Sequence, residues 1–202
     1  MAKITPETRQ KLHIVARGVR VAYPKVFEAE ENTLSGKREY SCQIRLYKSN
    51  PEHMKTVEKI RGAMKVAAKA FWGEDADRNM RTALDSTNTR WLREDPDGEY
   101  FFASLKRREQ DGAPRVVGRD KSVALRQEDG KVYSGAVMNV IFDIWCYSGT
   151  SKSGAKIPSG FSATLMGLQF VADGDPIGGA SVAKDTDFDD LGTEETNDGD
   201  FF

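Results

Sequence analysis

Ala136-Val137-Met138-Asn139-Val140-Ile141-Phe142-Asp143-Ile144-Trp145-Cys146-Tyr147 alternates with period two, and this stretch decides the fold class. Met138, Val140, Phe142, Ile144 and Cys146 share one oily face, leaving Asn139, Asp143, Trp145 and Tyr147 on the other. A strand of this kind buries one side and shows the other. A Gly-, Ser- and Lys-rich loop follows at 148–156, and a second long strand is expected over 161–171. Upstream, residues 38–47 repeat the pattern. Tyr40, Cys42, Ile44 and Leu46 are placed on the buried face, and Ser41, Gln43, Arg45 and Tyr47 on the open one.

Working outward, residues 1–12 read as a polar lead-in, and a strand from His13 runs to the Tyr23-Pro24 break. Phe27 and a charged loop over 28–36 come next. Asn50 before Pro51, or Ser49 with Glu52, opens a helix in which Met54, Val57, Ile60, Met64, Ala67, Ala68 and Phe71 recur at helical spacing. Lys55, Lys59, Lys65 and Lys69 lie between them and read as a solvated face. Residues 78–84 form a weaker helical stretch within a turn-rich region, 74–98. Shorter strands are expected at 100–105, 115–117, 121–125 and 131–133. Strands around one inserted helix, with no alternating βαβ pattern, point to an antiparallel barrel or sandwich.

The chain of 202 residues divides into a body, 1–172, a linker, 173–184, and a tail, 185–202. The tail holds eight carboxylates and no Lys or Arg, so the remainder keeps 30 basic against 23 acidic residues, a balance of +7 hidden beneath an overall −1. Charge that dense does not pack into a core. A basic body with an acidic appendage suits a polyanionic partner, with the tail as an internal competitor. No apolar run is long enough to span a membrane, and the first residues lack the pattern of a signal peptide. Cys42 and Cys146 lie in apolar alternating segments, as expected of buried free thiols in a reducing cytoplasm.

Catalytic and metal chemistry finds little purchase. His13 and His53 have no partner at the spacing of a nucleophile–base pair, and with the two cysteines they lack zinc-site spacing. Residues 95–99 resemble the start of a calcium loop but contain Pro96 and lack the distal Glu. Residues 149–156 imitate a phosphate loop, yet Ile157 stands where Ser or Thr should bind magnesium, and the loop joins strand to strand. No cofactor is expected and no enzyme is indicated.

Single-stranded nucleic acid is held by positive charge along its phosphates and by aromatic faces against its bases. The body has both. Basic candidates are Arg45, Lys106, Arg107, Arg108, Arg115, Arg119, Lys121, Lys152 and Lys156; stacking candidates are Tyr47, Trp91, Tyr133, Trp145 and Tyr147. Tyr100, Phe101 and Phe102 are close by in sequence. With no base-reading helix or zinc finger, recognition is expected to be independent of sequence. Two other readings stay open: a scaffold or protein-interaction module whose basic body meets an acidic protein, and a metal-dependent nuclease using Asp143.

Residues 18–27 (Gly-Val-Arg-Val-Ala-Tyr-Pro-Lys-Val-Phe) and 36–41 (Gly-Lys-Arg-Glu-Tyr-Ser) resemble the opening of a phage single-stranded DNA-binding family first catalogued as a domain of unknown function. Tyr133-Ser134-Gly135-Ala136, and residues 160–176 with Leu165-Met166-Gly167-Leu168 at their centre, resemble its second half. The resemblance implies a mainly β OB-fold barrel with one long inserted amphipathic helix and a disordered acidic tail, similar in plan to podophage single-stranded DNA-binding proteins. It also implies coating of single-stranded DNA in phage replication or recombination, in the host cytoplasm. Asp198, Asp200, Phe201 and Phe202 match the acidic, aromatic end by which such proteins recruit partners. Phe201 replaces the Pro usual in bacterial tails, which favours a phage polymerase or helicase over a host protein as that partner. The oligomeric state is left open, a homodimer included.

Overall fold

The computed structural model describes residues 5–33, 36–85, 90–150, 154 and 156–178. Its strands are β1 (His13–Asn32), β2 (Lys37–Tyr47), β3 (Arg93–Glu94), β4 (Tyr100–Arg108), β5 (Arg115–Val117), β6 (Val137–Thr150) and β7 (Lys156–Ala172). Three helices, α1 (Pro6–Leu12), α2 (Pro51–Trp72) and α3 (Ala76–Asp85), complete the framework. The sheet runs β3-β4-β2-β1-β6-β7-β5, and a parallel pairing of Lys106 with Thr164 joins β4 to β7. That pairing closes β4, β2, β1, β6 and β7 into a ring. Counted along the chain, each barrel strand neighbours the same partners as in an OB barrel, so the fold is the mainly β one expected.

Alternation explains the core. Cys42, Ile44 and Leu46 from β2 meet Met138, Val140, Phe142, Ile144 and Cys146 from β6 and Ala103 and Leu105 from β4 inside the ring. Burial pushes both thiols up to about 12, so Cys42 and Cys146 stay protonated and inert at neutral pH. The inserted helix α2 starts where Asn50 accepts hydrogen bonds from the N–H groups of Glu52 (2.9 Å) and His53 (3.4 Å). Val57, Ile60, Met64, Ala67 and Ala68 turn its apolar stripe onto the barrel, and Gly73 ends it with a positive φ. Phe71, expected in that stripe, is exposed instead.

Several expectations are corrected. Residues 6–12 form α1, because Thr5 caps Thr8 and Pro6 takes the first turn, where its missing N–H costs nothing. β1 does not stop at Tyr23-Pro24. Register shifts between Ala22 and Lys25, and again before Glu30, absorb the proline, and the strand continues through the expected charged loop to Asn32. Residues 121–125 are mostly turn, with Asp120 accepting from the Ser122 N–H (2.9 Å) and hydroxyl (2.8 Å), and the expected strand is reduced to a single bridge of Ala124 with Val117. Residues 131–133 are not a strand either. The phosphate-loop imitation begins and ends in a hairpin, with Gly149 opposite Ile157 and Thr150 opposite Lys156.

The described part of the 173–184 linker is bound to the barrel. Gly174 N–H donates to the Tyr133 hydroxyl (2.9 Å), Ile177 N–H to the Ser134 carbonyl (2.9 Å), and Arg20 to the Asp175 carbonyl. Gly135 has φ +117°, and a Cβ there would strike the backbone of Asp175. Only glycine allows this approach. The tail 185–202 lies outside the described residues, and no helix among those described is long and apolar enough to cross a membrane.

Candidate nucleic-acid interface

β2 pairs antiparallel with the whole of β4 from Glu39 to Tyr47, with Tyr47 opposite Tyr100, Arg45 opposite Phe102, Gln43 opposite Ser104 and Ser41 opposite Lys106. Directly opposed side chains share a face, and these pairs alternate with buried Ile44, Leu46, Ala103 and Leu105. They therefore line the outside of the barrel. Tyr47 and Tyr100 lie 5.4 Å apart between ring centroids, and Tyr100 meets Phe102 edge-on at 6.2 Å. Cations cover the same rings: Arg45 stands 4.8 Å from the Tyr100 centroid, and Arg93 of β3 lies 5.1 Å from that of Phe102. At the α2 end, Lys48 and Arg61 both approach Phe101, at 5.2 and 5.3 Å. Nε of Arg45 is buried with no hydrogen-bond partner among the described residues.

His53 anchors the end of this face from behind. The Tyr47 N–H donates to its Nδ1 (3.0 Å), and Nε2 donates to the Gly18 carbonyl (3.1 Å), so the ring is used in its neutral form. Burial lowers its pKa, with the Gly18 hydrogen bond opposing. The unfolded chain takes up a proton below about pH 6.5 that the fold resists, so stability from neutral His53 is complete above that value and is lost as pH falls through the folded-state pKa. Urea unfolding is expected to show a lower midpoint at about pH 5 than at about pH 8, and a flatter dependence in His53→Gln.

A second aromatic pair faces outward from β6. Trp145, 37% exposed, and Tyr147 lie 5.8 Å apart and oppose Ser162 and Gly160 of β7. Between this pair and β4 runs an open groove of about 690 Å³, lined by Lys37, Glu39, Lys106, Arg108, Asp143, Trp145 and Thr164 among others. His13 Nδ1 lies 2.7 Å from Asp143, which is thus engaged with a base at one end of the groove.

The structure gathers some of the sequence candidates and separates others. Arg45 and Tyr47 join the β2–β4 face, Lys106 and Arg108 border the groove, and Trp145 and Tyr147 lie across it. Trp91 is corrected: it is buried, its indole N–H donates to the Ser104 carbonyl (2.7 Å), and its ring abuts Phe142. Arg107 is half-buried on the inward parity of β4 and is spent on the carbonyls of Asp111 and Gly112, each at 2.6 Å. Tyr133 is committed to the linker, its hydroxyl bonded to Gly174. Arg115, on β5, and the exposed Arg119 and Lys121 form a separate cluster beyond β7, with Arg115 donating to the Lys121 carbonyl (3.2 Å). Lys156 is exposed at the start of β7, and Lys152 lies outside the described residues, as do Asp198, Asp200, Phe201 and Phe202. Sequence reasoning left Tyr100, Phe102 and Arg93 out of the site. Alternation across 100–106 carried a signal for the first two, whereas Arg93 meets its ring only through the pairing of β3 with β4.

In barrels of this plan the face of the second and third strands is the one that takes oligonucleotides, and β2 and β4 occupy those positions here. Solved structures share the fold. The single-stranded DNA-binding protein from bacteriophage Enc34 in complex with ssDNA aligns with a TM-score of 0.62 at 16% identity, covering 84% of this chain and 91% of that one. Gp2.5, the single-stranded DNA-binding protein encoded by bacteriophage T7, aligns at 0.51 and 14% identity, covering 94% and 98%. Protein p50 of Acyrthosiphon pisum secondary endosymbiont phage 1 is 30% identical over 193 residues, spanning 91% of this chain and 96% of p50. A family model described as Enterobacter phage Enc34, ssDNA-binding protein, matches residues 12–202, nearly the whole length over which barrel and interface are built, and the chain belongs to that family.

Proposed function

We propose that this protein binds single-stranded DNA through the outer face of β2 and β4, coating it without strong sequence preference and without catalysis, in the cytoplasm of an infected host. The observation that carries the reading is the cluster in which Arg45 and Arg93 overlie Tyr100 and Phe102 beside Tyr47. Rings offer every base a π-face, and the interleaved guanidinium groups meet the phosphates. Lys106, Arg108, Trp145 and Tyr147 extend the positive, aromatic surface, and the 148–156 loop adds the charges of Lys152 and Lys156. Replication and recombination are the settings in which such a coat serves. The tail 185–202 competes with DNA for the basic surface, and Asp198, Asp200, Phe201 and Phe202 recruit a replication protein when DNA displaces it.

Titration of a labelled oligo-dT at several salt concentrations tests the reading. Log affinity falls with log salt at about −0.7 per phosphate neutralised, so Arg45, Arg93 and Lys106 together give a slope near −2. A flat salt response, or equal affinity for duplex and single strand, would overturn it.

A further inference from the structure

We infer that bound DNA does not leave the protein at the edge of β4, but crosses the β4–β7 seam to a second stacking site at Trp145 and Tyr147. The path thereby bends around the barrel. This rests on the single-strand binding proposed for the β2–β4 face.

Register makes the two aromatic clusters parts of one surface. Ser41 pairs with Lys106, Lys106 with Thr164, Thr164 with Asp143 and Asp143 with His13, a single row around the outside of four neighbouring junctions. One step of two residues above that row, Ser104 is level with Ser162 and its partner Trp145; one step further, Phe102 is level with Gly160 and its partner Tyr147. The clusters therefore flank the seam at the same height. From β4 to β6 is two inter-strand spacings, roughly 10 Å where the strands are joined, a short reach for a flexible polynucleotide.

Charge and shape favour the same occupant. Lys106 stands on the seam, with Arg108 and Lys37 along the groove floor. Three carboxylates line the groove, Glu39, Asp111 and Asp143, and each is engaged, with Lys106 at 3.4 Å, Arg108 at 3.7 Å and His13 at 2.7 Å. Gly160 is part of the construction: a Cβ there would lie 2.5 Å from the Tyr147 hydroxyl oxygen, so the phenol ring lies across β7 toward the seam only because that residue is glycine. Trp145 is the exposed indole of the described surface, Trp91 being buried and Trp72 packed edge-on against Phe161.

Trp145 provides its own readout. The full chain is titrated with oligo-dT from about 4 to about 16 nucleotides, the span of site sizes for one OB barrel, recording anisotropy of the oligonucleotide and tryptophan emission together. Trp145→Phe, which keeps a stacking face and removes the emission, assigns the signal. Short oligonucleotides are expected to bind without quenching Trp145, and longer ones to quench it. Trp145→Ala and Gly160→Val should each erase the affinity gained with length, roughly 5- to 150-fold for one stacked base, and leave short-oligonucleotide binding unchanged. Binding at every length without Trp145 quenching overturns the second site alone. So does an equal loss for short and long oligonucleotides in Trp145→Ala. Emission that responds only to deletion of 185–202 assigns the groove to the tail and also overturns it. If no oligonucleotide binds at all, the proposed function fails and this inference falls with it.

Discussion

Tyr100→Ala is expected to weaken oligo-dT binding by roughly 5- to 150-fold, the equivalent of about 1–3 kcal/mol for one base stack. Tyr100 is the centre of the face: it touches Tyr47 and Phe102, and it carries Arg45 at 4.8 Å. Its removal takes away a stacking surface and releases the guanidinium that the ring holds in place. Because the side chain is half-buried on the outside of the barrel, the fold loses only ring–ring contacts of about 0.5–1.5 kcal/mol each, and urea unfolding should move little. Tyr100→Phe retains the ring and should bind like the parent. Anisotropy at fixed salt measures both variants, and parental affinity in Tyr100→Ala would remove β2–β4 from the binding surface.

Trp91→Ala has the opposite profile. This indole fills the space beside Phe142 and donates to the Ser104 carbonyl, where β4 has passed the two-residue edge strand β3. Deleting it opens a cavity and orphans a backbone acceptor, and large-to-small changes of this kind cost about 3–5 kcal/mol. Against a total stability of about 5–15 kcal/mol, the thermal midpoint should fall by many degrees. Trp91→Phe should recover most of the packing while leaving Ser104 unpaired. Below its unfolding range, Trp91→Phe is expected to bind DNA as the parent does, since position 91 faces the core. A selective affinity loss in that variant, with unfolding unchanged, would restore Trp91 to the interface.

The contrast between these two residues shows how far the sequence could be read. Alternation identified the inner faces of β2 and β6 residue by residue, because period two leaves a strand no other way to bury its apolar side. The same rule applied to β4 would have put Tyr100, Phe102, Ser104 and Lys106 outside and Arg107 inside, but three consecutive aromatics at 100–102 hide the parity. Trp91 has no alternating neighbours at all. Its burial depends on where β3 ends, which is a tertiary fact. Pro24 misled in another way, since a proline inside a strand signals a stop unless a bulge takes it out of the ladder, and the bulge is set by the pairing of β1 with β2. Thr5-Pro6-Glu7 is a helix start by its cap and its proline, but only seven residues follow before β1, too few to show a helical period. Grouping Arg45 with Tyr47 followed from one strand; joining them to Arg93 and Phe102 required three.

The insertion of residues 48–99 between β2 and β4 has a consequence for how the molecule is made. Arg45 and Phe102 are ladder partners, yet everything from α2 to β3 separates them along the chain. Non-local pairings of this kind form slowly, because loop closure must precede the contacts that reward it. α2 forms from local hydrogen bonds and shortens the gap to be closed, but the paired face exists only once β4 has docked on β2. During synthesis β2 emerges with one edge unpaired until β4 follows. Competence to bind therefore waits on a non-local pairing, and an oligonucleotide added to refolding protein would report the docking of β4 on β2 rather than the earlier β1–β2 pairing.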